Sequence, residues 1–233
     1  AFLGDLGAVR SMGIPFGVVH NNDSKDGILE PGDFPSFCWT KLGQERLAVH
    51  KPILLRQPVL PPIVPSVSDG ELLVATFGHI EPKKQTFEMN RWARRAEIPF
   101  VAVGPDVLAA TYDVYYADLK SYGCPIRLHE WHEKIEDIAS LVGDVTHFLF
   151  VLTDSKKGSG GSPTSPRFAG FFNRPVIVVD DEYTFAEDGY YVYRTLAEIQ
   201  KEHLTGMKPP KYDWSPDAYL DALTTATLEF WGK

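Results

Sequence analysis

The residues best suited to chemistry lie in one stretch, Gly158-Ser159-Gly160-Gly161-Ser162-Pro163-Thr164-Ser165-Pro166, which runs on to Arg174-Pro175-Val176-Ile177-Val178-Val179-Asp180. An apolar run at 148–152 precedes it and reads as a strand; 176–179 reads as the next strand. Between them the spacing predicts a glycine-rich loop and about two turns of helix, entered through Thr164 and Ser165 with Pro166 near the first helical position. That order sets backbone N–H groups and a helix N-terminus at the carboxyl end of a strand. Such a place attracts a phosphate without a basic side chain. A nucleotide-linked substrate is the expectation.

Two further loops carry compatible chemistry. Gly78-His79-Ile80-Glu81-Pro82-Lys83-Lys84 follows the apolar run at 72–77. Its glycine permits close approach, and Lys83 or Lys84 can bring positive charge to a phosphate, although a lysine beside a proline is also ordinary solvated surface. Glu130-Trp131-His132 follows a short strand at 126–128, and a tryptophan there stacks a base or packs into the core. Other chemistries fit worse. In His129-Glu130-Trp131-His132-Glu133 the histidines stand three apart, where the zinc helix needs four, so no metal site is expected. Asp180-Asp181-Glu182 reads as a cap or solvated loop. Ser159, Ser162 and Ser165 lack the Gly-x-Ser-x-Gly frame of a nucleophile. Gly158-x-Gly160 is not the full dinucleotide fingerprint.

The elements that must position these loops alternate. Short apolar strands are expected at 16–20, 37–40 and 53–55, with a helix over 42–50. Four prolines within 58–65 exclude helix and central strand and read as an extended linker. Strands at 72–77, 100–104, 126–128, 148–152 and 176–179 then alternate with helices over 85–96, 108–122 and 135–142. Apolar strands spaced by amphipathic helices indicate a parallel sheet covered on both faces, here a Rossmann-like unit of about five strands. Tyr190, Tyr191, Tyr193 and Phe185 read as packing between that sheet and the carboxyl-terminal segment.

Composition bounds the rest. The chain has 233 residues, 44% of them hydrophobic and 23% charged, ordinary values for a globular protein with a sizeable core. A net charge of −8 argues against a nucleic-acid partner. Cys38 and Cys124 make neither a metal motif nor a disulfide framework, which suggests a reducing, cytoplasmic compartment. No apolar run reaches the length of a membrane span. The chain opens on Ala1 with no initiator Met or signal peptide, as a fragment or trimmed form would. A homo-oligomer is compatible with all of this.

The sequence resembles the carboxyl-terminal half of a GT-B glycosyltransferase, most like the large retaining family 4 (glycosyl transferases group 1), chiefly over residues 72–180. Phe77-Gly78-His79-Ile80-Glu81-Pro82-Lys83-Lys84 is similar to that family's Gly-Arg-Leu loop, with Lys84 on the lysine that contacts the donor diphosphate and His79 where arginine is usual. Ile126-Arg127-Leu128-His129-Glu130-Trp131 resembles the strand and turn that hold the nucleotide base. Gly160-Gly161-Ser162-Pro163 resembles the Glu-Gly-x-Pro loop. His20, before Asn21-Asn22-Asp23, resembles the active-site histidine of the amino-terminal domain or is a hydrogen-bonded turn residue.

The resemblance implies an α/β fold of Rossmann-like parallel sheets, GT-B type, with a truncated amino-terminal lobe. It divides the chain into a partial acceptor-side lobe and linker (1–65), a nucleotide-sugar-binding domain (66–205) and a carboxyl-terminal segment with a crossover helix (206–233). It implies diphosphate contacts from Gly78, His79, Lys84, Ser162, Pro163, Thr164 and Ser165, base and ribose contacts from Glu130, Trp131, Gly160 and Gly161, and a catalytic His20. Retaining, metal-independent transfer of a hexosyl group from a nucleotide-sugar donor to an unknown acceptor would follow, with the nucleotide-sugar as substrate and no cofactor. One departure supports a different class of function. The family's two glutamates in the third loop fall on Gly160 and Phe168 here, as in a non-catalytic nucleotide-binding or partner-binding relative.

Overall fold

The structure is a computed structural model that describes residues 18–19, 35–38, 44–45, 48–55, 71–130, 134–152, 164–180, 189–210 and 215–232. It forms two compact units. Within the first lies a parallel sheet ordered β1 (Val18–Val19), β2 (Ser36–Cys38) and β3 (Ile53–Leu54), in which Val18 pairs with Ser36 and Phe37 with Ile53. The described part of the expected helix over 42–50 includes a 3-10 turn at Ala48–His50. The expected proline linker at 58–65 lies outside the described residues.

The second unit is built on a six-stranded sheet: β4 (Val74–Phe77), β5 (Phe100–Pro105), β6 (Ile126–His129), β7 (His147–Val151), β8 (Val176–Val179) and β9 (Tyr191–Tyr193). All pairs are parallel and the spatial order is β6-β5-β4-β7-β8-β9. Every residue of β4, β5, β7 and β8 is buried, which is why these strands read as unbroken apolar runs. Alternate side chains feed two cores. Val74, Phe100, Ala102, Leu149, Val151, Ile177 and Val179 face one; Ala75, Val101, Val103, Phe148, Phe150, Val176 and Val178 face the other.

The first core is covered by α1 (Thr86–Arg95), through Met89, Trp92 and Ala93, and by the pair α2 (Val107–Thr111) and α3 (Asp113–Ser121), through Tyr116 and Leu119. The single helix expected over 108–122 breaks at Tyr112, whose φ of −120° and ψ of 39° leave helical space. The second core is covered by α4 (Ile135–Leu141) and by α5 (Thr164–Ala169), which tightens into a 3-10 turn at Gly170–Phe172. α6 (Pro216–Phe230) belongs to the first unit and starts on a cap, the Ala218 N–H donating to Ser215 Oγ at 3.1 Å.

One expectation is extended. Tyr191 and Tyr193 do pack against the segment that follows, the Lys208 N–H donating to Tyr191 Oη at 2.9 Å and Tyr193 stacking on His203, but they also form β9, pairing with Ile177 and Val179 as the sheet's edge. An edge strand of half-buried tyrosines carries no apolar run, so the pattern missed a sixth strand.

Two buried polar groups lock the sheet. Arg174 is 2% exposed and donates to the carbonyls of Val145 (2.6 Å) and Phe172 (2.8 Å), tying the end of the α5 segment to the α4–β7 turn. His147, at the start of β7, meets Thr146 Oγ1 and the Leu204 carbonyl, each at 2.9 Å. Burial pushes the His147 imidazole below its ordinary 6.5. The folded chain therefore takes up this proton only at lower pH than the unfolded chain does. Stability is full above the ordinary histidine value and falls as pH drops through it toward the folded value. We expect the urea midpoint of the unaltered chain to fall between pH 7.5 and 5.5, and His147→Gln to flatten that slope. Equal slopes in the two proteins would show that His147 carries none of it.

Candidate functional site

In a parallel sheet the N–H groups and loops at the carboxyl ends of the strands are free to meet a ligand. The crevice opens where successive crossovers leave toward opposite sides. Here β4 leads to β5 on one side and β7 leads to β8 on the other, so that point lies between the ends of β4 and β7. A cleft is found there, lined by Thr76, Phe77, His79, Lys84, Phe150, Val151, Leu152, Ser165 and Pro166.

The turn after β4 is shaped by three backbone decisions. Gly78 takes a φ of +112°, open only to glycine at low cost, and its N–H donates to the Val103 carbonyl at 2.9 Å. Pro82 then sets the first position of a 3-10 turn, Pro82–Lys84, with Glu81 extended before it. Gln85, at φ 54°, ends the turn and starts α1. The result separates the two lysines. Lys83 points outward, 71% exposed and 3.1 Å from Glu81 Oε1, while Lys84 is half-buried and lines the cleft. Burial pushes the Lys84 ammonium below its ordinary 10.5; Glu81 opposes that shift and Lys83 adds to it.

The turn and α5 meet closely. A Cβ on Gly78 would stand 2.9 Å from Ser165 Oγ, and a Cβ on Gly104 in β5 would stand 2.5 Å from the Gly78 carbonyl oxygen. Gly78 thus lets α5 approach, and Gly104 lets the turn lie across the end of β5. Phe77 braces this edge with Phe172 (5.4 Å, edge-on), Phe148 (6.5 Å, edge-on) and the His129 ring (6.1 Å, stacked).

The structure brings together Gly78, His79, Lys84 and Ser165 from two loops about eighty residues apart in sequence. Thr164 opens α5. Glu130 is exposed at the end of β6, two strands from β4, and does not line the cleft. His20, Trp131, Gly160, Gly161, Ser162 and Pro163 lie outside the described residues. Sequence reasoning missed one residue. Gly104, which lets the turn lie across the end of β5, carries no signal of its own inside an apolar strand. Among the described residues lining the cleft, Lys84 is the one lysine or arginine and no carboxylate is present. That balance suits an anion bound by an ammonium, a hydroxyl and backbone N–H groups.

Known structures share this architecture. No family model matches the sequence, nor does any curated protein. AviGT4, a glycosyltransferase involved in avilamycin A biosynthesis, superposes with a TM-score of 0.61 at 14% identity, over 94% of this chain and 68% of that one. TarM gives a TM-score of 0.57 at 12% identity, over 85% of this chain and 43% of TarM. The GtfA/B complex gives 0.53 at 14% identity, covering 100% of this chain and 54% of that one. With a six-stranded parallel sheet clothed by helices on both faces, the chain has the α/β fold of the GT-B glycosyltransferases.

Proposed function

We propose that this chain binds a nucleotide-sugar donor and serves transfer of its sugar to an acceptor, without a metal. The observation that carries the reading is the convergence of Lys84, His79, Gly78 and Ser165 on the crevice between β4 and β7. The donor diphosphate would lie there, met by the Lys84 ammonium, the Ser165 hydroxyl and the N–H groups of Thr164 and Ser165. As the bond between the sugar's anomeric carbon and the diphosphate oxygen breaks, negative charge grows on that oxygen. A pre-placed ammonium and N–H dipoles stabilise this charge more than they stabilise the ground state. In the same reading His79 assists, and the transfer proceeds with retention at the anomeric carbon. Support comes also from the fold shared with AviGT4, TarM and GtfA/B.

Calorimetric titration with UDP, GDP, ADP and dTDP tests the reading. Micromolar binding of one of them is expected, and it would name the donor base. Absence of binding to all four overturns the reading. Binding without sugar transfer from the matching nucleotide-sugar would favour a non-catalytic relative, as Gly160 and Phe168 at the glutamate positions suggest.

A further inference from the structure

Three arginines crowd the last turns of α1. Arg91, Arg94 and Arg95 line one open pocket of about 260 Å³ with Phe87 and Asn90 of the same helix and Tyr122 just after α3. α1 leads from the carboxyl end of β4 to the start of β5, so its last turns lie toward the amino edge of the sheet, opposite the β4–β7 crevice. A cluster of this kind opposes folding. Arg91 stands three residues before Arg94 and four before Arg95, spacings at which like charges destabilise a helix, and arginine does not lose its charge in a protein. Among the described residues none of the three makes an ion pair with a carboxylate. Glu88, which lines the adjoining groove with Arg91 and Arg95, pairs with neither. A cation near a helix C-terminus meets the dipole favourably, which accounts for Arg94, whose Nη1 donates to the Tyr122 carbonyl at 2.7 Å. It does not account for three cations together in a chain whose net charge is −8.

The guanidiniums are held in place by contacts that leave most of their donors unused. Arg91 lies over the Phe87 ring, 5.9 Å from its centroid, and Tyr122 braces that ring edge-on at 4.6 Å. Arg95 Nε donates to the Arg91 carbonyl at 3.4 Å. Asn90, 3% exposed, donates from its side-chain amide to the same Tyr122 carbonyl as Arg94, at 3.3 Å. A guanidinium carries five N–H donors, and these hydrogen bonds occupy one on Arg94 and one on Arg95. The remaining donors meet a ligand with part of the side-chain ordering already done.

We propose that this pocket binds a phosphoryl group, borne by a soluble compound or by a lipid headgroup, at a site separate from the donor crevice. A phosphoryl group carries up to two negative charges and three terminal oxygens, enough to meet several guanidiniums at once, whereas a carboxylate matches a single fork. Binding here does not depend on Lys84, which lies before the other end of α1.

The test reads the arginines directly. In protein labelled with ¹⁵N at arginine, the Nε–H signals of Arg91, Arg94 and Arg95, each assigned by its loss in the corresponding Arg→Lys variant, are followed as inorganic phosphate is added. Sodium chloride at about 150 mM screens diffuse attraction. The shifts should saturate with a midpoint on the order of a millimolar. Arg91→Gln and Arg95→Gln should each raise that midpoint about tenfold. In phosphate-free buffer each should hold or raise the melting temperature, because each removes repulsion. Lys84→Ala should leave the midpoint unchanged. Shifts that climb without saturating overturn the proposal, as does a midpoint that moves in Lys84→Ala and in neither arginine variant. Vesicles of phosphatidylcholine with and without phosphatidic acid separate the two sources. Sedimentation of the chain with the phosphatidic acid vesicles, lost in Arg91→Gln, identifies a headgroup. Saturation by inorganic phosphate with no such sedimentation identifies a soluble phosphorylated ligand.

Discussion

Lys84→Ala should weaken binding of the matching nucleoside diphosphate by about 10- to 100-fold. A hydrogen bond to a charged group contributes about 1.5–3 kcal/mol, and each 1.4 kcal/mol is about tenfold in affinity. Lys84 is the one lysine or arginine lining the cleft among the described residues, so no neighbour there can take over its contact. Folding should not suffer. The ammonium is half-buried and its burial already disfavours the charged form, so its removal relieves a desolvation cost while losing some packing of the aliphatic stem. Calorimetry and a thermal melt on the same sample separate the two effects. Unchanged affinity would move the diphosphate away from this crevice. The pH dependence has a definite sign: with the ammonium pushed below the ordinary lysine value, affinity should begin to fall at lower pH than for a solvent-exposed lysine. Lys84→Arg, which stays charged, should remove that fall.

Gly104→Ala should lower stability by about 2–3 kcal/mol, within the range for overpacking a filled site, and weaken diphosphate binding as well. The new Cβ would stand 2.5 Å from the Gly78 carbonyl oxygen and 2.9 Å from Ile80 Cγ1. The first contact is with backbone, which cannot swing aside as the end of a side chain can. The turn after β4 must therefore lift, carrying Lys84 away from Ser165 and loosening the Gly78 N–H bond to Val103. Urea denaturation reads the stability, and titration of the folded protein reads the binding. A variant with an unchanged denaturation midpoint would show that the turn has slack the packing does not suggest. Gly78→Ala should be damaging for a different reason, because its φ of +112° disfavours any side chain and its Cβ would press on Ser165 Oγ.

Much of the large sheet was legible because burial on both faces leaves little choice of residue. Runs such as Val74-Ala75-Thr76-Phe77 and Val176-Ile177-Val178-Val179 are almost wholly apolar, and Gly78 marks the end of the first as Pro175 marks the start of the second. β9 escaped because it lies at an edge, where tyrosine satisfies both the wet and the packed side. The break at Tyr112 escaped because the apolar pattern of 108–122 runs through it, and one residue's dihedral angles decide it. Arg174 and His147 gave no warning of their burial. Their partners are main-chain carbonyls of Val145 and Leu204, remote in sequence, and a carbonyl leaves no mark on residue type.

From residue types alone came the alternation of strands and helices, the glycine and lysine of the first loop, and the anionic character of the expected ligand. These are local properties: apolar periodicity, the conformational freedom of glycine and the charge of an ammonium act wherever the chain goes. Residue types left Lys83 and Lys84 equivalent and only the resemblance favoured Lys84; tertiary structure supplies the physical reason, since Lys83 is turned to solvent beside Glu81 while Lys84 lines the cleft. It also decided that Ser165 would meet Gly78, that Glu130 would stand two strands away, and that Gly104 has no room for a side chain. Strand order brings distant loops to one edge, and strand order is set by how the helices pack the two cores.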